Sequence, residues 1–311
     1  MDAMGEKHDI YVKTLGGFSI KAGSREITGS SNRSKKPWLL LEYLVVFQKK
    51  YIRPSELTHI IWADDPGVNP NGSLKTLIFR TRKLLDPLGI SPQKLLVQKG
   101  GSYAWTQEYT TAMDIDEFED ICNKVLGQPL EDEEALSLCY QGLSIYKGDF
   151  LPKSEYEPWV IPIAAYYHSR YQKLVHKTIE LLAKKQDYAG ITSVCEGAVR
   201  IEPFDETLRF HLIYSLFKDG HISQALEEYK HTMNLFYNEF SISPSNDFKN
   251  LYRLIWNEAQ GINTNLDSIQ DALQEESSKG AFFVNIQYSM SCSSWDAERL
   301  NAPGTPSIYA F

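Results

Sequence analysis

A chain of 311 residues is long enough for about two domains, and 42% apolar with 23% charged residues is the composition of an ordinary globular protein with a sizeable core. The net charge of −8 hides an asymmetry: residues 1–110 hold 16 Lys/Arg against 10 Asp/Glu, whereas 111–311 hold 16 against 30. The four cysteines (Cys122, Cys139, Cys195, Cys292) form no CxxC pair, so they read as reduced thiols of a cytoplasmic protein, not as a zinc site or a disulfide framework. No signal peptide is recognisable, and the most apolar run, Trp38 to Phe47, is short and interrupted by Glu42, which excludes a membrane span there.

Ile10, Val12 and Leu15, then Phe18, Ile20 and Ile27, are separated by Gly16-Gly17 and Ala22-Gly23-Ser24, the pattern of a small antiparallel sheet. Arg33, Lys35 and Lys36 lie in a Ser-rich loop. Pro37 suits the first position of a helix over Trp38 to Gln48, with Leu40, Leu41, Leu44, Val45 and Phe47 inward and Lys49-Lys50 at its C-terminal end. Arg53-Pro54-Ser55-Glu56 opens a second helix to about Trp62, and Ala63 to Gly72 is a loop dense in turn formers.

Ser73 to Leu85 then reads as an amphipathic helix. Leu74, Leu77, Ile78, Thr81, Leu84 and Leu85 share one face; Lys75, Thr76, Phe79, Arg80, Arg82 and Lys83 fan round the rest, with no acid among them. Alone, such a helix suits a solvated surface as well as a polyanion. After Asp86-Pro87-Leu88-Gly89, the segments Leu95 to Lys99 and Ser102 to Trp105 flank Gly100-Gly101 as a hairpin. Sheet, three helices and hairpin make a winged helix, whose third helix enters a major groove.

Leu15-Gly16-Gly17-Phe18, Glu56-Leu57 with Ile61-Trp62, Leu74 to Leu85, and Lys99-Gly100-Gly101-Ser102-Tyr103 resemble the OmpR/PhoB-type winged helix. More narrowly they resemble the version in bacterial transcriptional activator domain (BTAD) regulators, related to the antibiotic regulatory proteins called SARPs. The resemblance implies a DNA-reading third helix, with Lys75, Thr76, Phe79, Arg80 and Lys83 as base readers. It implies Arg82 as a phosphate contact and a loop, Asp64 to Asn71 (Asp64, Asp65, Val68 and Asn69 among it), that meets RNA polymerase. Arg33, Lys35, Lys36 and Lys99 are the further candidates for phosphate contact.

From Asp114 onward long helical patterns take over. Acidic residues open helices at Asp114-Ile115-Asp116-Glu117 and at Glu131 to Glu134, where the helix dipole favours them, and they read as solvated helix starts in preference to a metal or acid–base cluster. Asp149-Phe150-Leu151-Pro152 breaks the pattern before a long helix from Trp159 to Lys185. Gln186 and Gly220, Tyr188 and Ile222, Ile191 and Ala225, and Cys195 and Tyr229 are each 34 residues apart, the tetratricopeptide period. Asp187 to Ala198, Asp205 to Lys218 and Ile222 to Asn238 are the helices this period predicts. Tyr140, Tyr146, Tyr156, Tyr166, Tyr167 and Tyr171, with Trp159, are expected to fill the core between helices, a peptide groove being the alternative.

Asp149-Phe150-Leu151-Pro152, Glu157-Pro158-Trp159-Val160, Arg200-Ile201-Glu202-Pro203 and Glu206-Thr207-Leu208 resemble the BTAD region over about 114–256. That resemblance implies dimerisation or regulatory contact and no catalytic role. No phosphate-binding loop, nucleophile elbow, HExxH or EF-hand motif occurs, and the seven histidines never stand at i, i+4.

The expectation is therefore an α+β winged helix over 1–110, an all-α tetratricopeptide-like domain over 111–256, and a connecting segment with a disordered or truncated tail over 257–311. The function expected is a sequence-specific DNA-binding regulator, an activator, and not an enzyme. Its expected partners are double-stranded DNA, RNA polymerase, a second copy on tandem half-sites and a peptide or protein effector, with no metal, cofactor or membrane. The alternative is a helical-repeat adaptor whose winged helix binds protein.

Overall fold

In a computed structural model, which describes residues 9–29, 35–62, 70–241 and 245–260, the chain folds as two compact units. One comprises residues 9–120 with 144–170, and the other 121–143 with 171–260. The expected tail beyond Gln260, Arg33, and Asp64 to Asn69 lie outside the described residues. Among the described residues no helix is long and apolar enough to cross a membrane.

The first unit begins with β1 (Ile10–Lys13), β2 (Ser19–Ala22) and β3 (Arg25–Thr28), followed by α1 (Lys35–Val46), α2 (Pro54–Trp62) and α3 (Pro70–Leu85). A single turn α4 (Pro92–Leu95) leads into β4 (Leu96–Lys99) and β5 (Ser102–Trp105), and β6 (Thr111–Met113) closes the series. The sheet order is β3-β2-β1-β6, antiparallel except for the parallel pair Ile10↔Thr111 to Val12↔Met113. Sequence reading does not show β6, because three residues are too few to reveal a period. Trp105 fastens that strand from the core, its Nε1 donating to Thr111 Oγ1 at 3.0 Å.

Helix α1 departs from the amphipathic expectation: every residue from Pro37 to Val46 is buried. It starts two residues before Pro37 and ends before Lys49-Lys50. It packs against α2, α3 and β5, while Trp159 meets the rings of Tyr43 and Phe47 at 5.2 and 5.9 Å. A helix covered on all sides is apolar all round. Its one carboxylate, Glu42, is held there by Ser154, whose Oγ donates to Oε2 at 2.6 Å.

Asp114 overturns one expectation. It is 3% exposed, not a solvated helix-start acid. Its carboxylate accepts from Thr14 N at 2.8 Å, Thr14 Oγ1 at 2.7 Å, and Leu15 N and Ile115 N at 2.9 Å, so it ties the end of β1 to α5 (Asp114–Gly127). Burial still pushes its pKa up, against the lowering effect of those donors. On the other side of the same corner, Gly16 N donates to Asp149 O and Leu151 N to Thr14 O, both at 2.9 Å. Gly16 has φ +79°, and a Cβ there would meet the Lys147 backbone at 2.7 Å, so only glycine fits.

The remaining helices are α6 (Asp132–Ile145), α7 (Val160–Lys184), α8 (Tyr188–Ala198), α9 (Glu206–Lys218), α10 (Ile222–Phe240) and α11 (Asn246–Ala259). In the second unit α8 packs on α9, α9 on α10 and α10 on α11. Asp187 and Asp205 cap α8 and α9, accepting from Gly190 N at 2.8 Å and Leu208 N at 2.9 Å. The starts of α8 and α10 are 34 residues apart, and the equivalent turn residues Gln186 and Gly220 both hold positive φ, 56° and 82°. Arg209 is buried, donating to Pro203 O at 2.7 Å and to Glu228 Oε1 at 2.8 Å. Of the aromatics expected in the core, Tyr146, Tyr167 and Tyr171 are buried, but Tyr140 and Tyr156 are exposed. Cys122, Cys139 and Cys195 are buried and in the thiol form.

Candidate nucleic-acid interface

Helix α3 divides along the line that its sequence predicts. Leu74, Leu77, Ile78, Thr81 and Leu85 are buried, and Leu84 is half-buried. Each buried Leu or Ile contributes about 1.5–3 kcal/mol of apolar transfer, which anchors the helix against α1 and α2. Thr81 Oγ1 donates to Pro37 O at 3.3 Å, a buried polar tie to the first turn of α1. The opposite face carries Lys75, Thr76, Phe79, Arg80 and Lys83, all exposed, and α3 contains no acid. Thr76 Oγ1 bonds back to Gly72 O at 3.2 Å, and Lys83 Nζ lies 4.9 Å from the Phe79 ring centroid.

The β4–β5 hairpin stands beside that face. Its register runs from Leu96↔Trp105 to Lys99↔Ser102, and Gly100 and Gly101 turn it with φ of 58° and 83°. Two successive positive values are those of the two-residue hairpin turn that glycine favours. The hairpin is anchored one residue pair from its turn by a bridge to the α1–α2 connection, Ile52 N to Tyr103 O at 2.7 Å and Tyr103 N to Ile52 O at 2.9 Å.

Arg82 is placed differently from its neighbours. It is half-buried, and its Nε and Nη2 both donate to Leu96 O, at 3.3 and 2.8 Å. The residue expected at a phosphate thus fastens α3 to the first strand of the hairpin. Between helix and hairpin runs a cleft of about 400 Å³, lined by Lys75, Phe79, Lys83, Gln93, Gln98 and Tyr103. Gln93 and Gln98 escaped sequence reading. Strand alternation gave no signal for Gln98, because it puts Gln98 on the side of the buried Leu96 although Gln98 is exposed.

Among the expected phosphate contacts, Lys35 and Lys36 are exposed in the first turn of α1, with Lys36 Nζ 5.3 Å from the Trp62 ring centroid. Lys99 is exposed at the hairpin turn, 6.0 Å from the Tyr51 ring centroid. The first unit therefore brings together a cationic helix face, a hairpin tip and a cationic helix start.

Comparison with known proteins adds to this geometry. Residues 113–256 match the family model of the bacterial transcriptional activator domain. The regulatory protein AfsR of Streptomyces coelicolor is 23% identical over 225 residues, which is 70% of this chain and 21% of AfsR. The AfsR of Streptomyces griseus is 23% identical over 250 residues, 76% of this chain and 24% of that protein. The chain thus spans less than a quarter of the length of these curated relatives. Among solved structures, Mycobacterium tuberculosis EmbR, in complex with a low affinity phosphopeptide, aligns with a TM-score of 0.53 over 88% of this chain and 70% of its own, at 17% identity, a likeness of fold. The helical part of this chain is therefore similar to the bacterial transcriptional activator domain, and most of its length is similar to regulatory proteins that are themselves several times longer.

Proposed function

We propose that this chain is a cytoplasmic, sequence-specific DNA-binding transcription regulator, an activator and not an enzyme. Its first unit acts as an OmpR/PhoB-type winged helix. The observation that carries the reading is the exposed, acid-free face of α3, with Lys75, Thr76, Phe79, Arg80 and Lys83 beside an anchored hairpin. In the major groove those side chains meet base edges. Lys35, Lys36 and Lys99, with Arg33, supply the phosphate contacts. Asp64, Asp65, Val68 and Asn69 supply the RNA polymerase contact.

The helices from α6 to α11 act as tetratricopeptide-like repeats that pair two copies on tandem half-sites or receive an effector. The phosphopeptide bound in the EmbR complex suggests a peptide as the class of effector. The test is titration of a labelled duplex, selected by the chain from a randomised library, at two salt concentrations. Counterion release requires affinity to fall steeply with salt. Weak binding without salt dependence would favour the adaptor, whose winged helix holds protein.

A further inference from the structure

Phe79 is the anomaly of α3. Leu74, Leu77, Ile78 and Leu85 are all buried, yet the largest apolar side chain of the helix is 59% exposed. It belongs to the solvent face, with Lys75 and Lys83 one turn before and after it, Arg80 adjacent, and Thr76 three residues earlier. Lys83 Nζ sits 4.9 Å from the ring centroid, close enough for the ammonium to bias the ring's orientation. An apolar disc set among lysines is a poor protein-docking patch, because interface cores are depleted in lysine.

A major groove offers one apolar group amid a field of donors and acceptors, the C5-methyl of thymine. A phenyl ring pressed on any other base edge strips water from a polar group and returns no hydrogen bond, which is unfavourable. On the reading of α3 as a DNA-reading helix, we infer that Phe79 is a specificity-determining residue that recognises the C5-methyl group of a pyrimidine in the operator. Thymine and 5-methylcytosine both present that methyl, and uracil and cytosine lack it.

The test uses the full chain and a duplex it selects from a randomised library. Each thymine is replaced in turn by deoxyuridine. One replacement should weaken wild-type binding about fourfold, the effect of one buried methyl-sized group. The Phe79→Ala variant should bind the two duplexes equally, whereas Arg80→Ala should keep the thymine–uracil ratio. At the same position, 5-methylcytosine should bind more tightly than cytosine by a similar factor. Wild-type indifference to every uracil, or a ratio that survives in Phe79→Ala, overturns the assignment while leaving DNA binding intact. A preference that follows the thymine base but not the methyl of 5-methylcytosine also overturns it. Failure to enrich any duplex removes the DNA-reading function itself, and this inference with it.

Discussion

The guanidinium of Arg82 holds the carbonyl of Leu96 with two donors, at 3.3 and 2.8 Å, so one side chain sets the spacing between the exposed helix and its hairpin. Hydrogen bonds from a charged donor contribute about 1.5–3 kcal/mol, and Arg82→Ala should destabilise the first unit by about that much in urea unfolding. Its effect on DNA separates a fastening role from a phosphate contact. As a fastener, Arg82→Ala lowers affinity without changing the salt slope; a slope reduced by about one unit would instead mark a lost phosphate contact.

Arg80→Ala should weaken binding to the selected duplex by about 1–3 kcal/mol, with little change on random DNA, as loss of a base contact requires. Lys36→Ala should weaken all sequences alike and flatten the salt dependence by about one unit. Equal losses from both variants on random duplex would contradict this division between base reading and phosphate binding.

Asp114→Ala removes the acceptor for Thr14 N, Thr14 Oγ1 and Leu15 N at a corner the solvent does not reach. An unsatisfied buried donor costs about 1–3 kcal/mol, so the loss should reach about 3 kcal/mol or more, read as a shift in the urea midpoint. Asp114→Asn should cost less, because its amide oxygen keeps part of the acceptor role. A midpoint unchanged in Asp114→Ala would show that the corner is held by other contacts.

Two buried groups give the molecule opposed pH dependences. Burial raises Glu42 from 4.5 to about 7, aided by Glu157 and opposed by the Ser154 hydrogen bond and by Lys153. The folded state then binds the extra proton, so stability present below pH 4.5 is lost as pH rises through about 7. Glu42→Gln should keep an acceptor for Ser154 and raise stability at pH 8 by about 2 kcal/mol, less at pH 5. Burial, with the nearby charge of His176, lowers His211 from 6.5 to about 4. There the unfolded chain binds the extra proton, so the second unit loses stability as pH falls from about 6.5 towards 4. Thermal melts across that range should show His211→Asn less sensitive to acid than wild type.

The α3 stripe was legible in full from spacing, because a helix that rests on a core at one face must repeat its apolar residues at the helical period. The Gly100-Gly101 turn was legible because two positive φ values admit few other residues. The starts of α8 and α10 followed from a 34-residue recurrence. These are local properties, and local sequence carries them.

The tie of Arg82 to Leu96 and the burial of Asp114 and Glu42 are not legible in the sequence, for one reason. A charged side chain in an amphipathic or helix-start position looks solvated until its distant partner is known. Leu96 is 14 residues from Arg82, Thr14 is 100 from Asp114, and Ser154 is 112 from Glu42. Sequence alone determined the apolar face of α3, the starts of α8 and α10 and where the hairpin must turn. Only the tertiary structure decided which charges face solvent and which are buried, because that depends on what long-range packing brings against them.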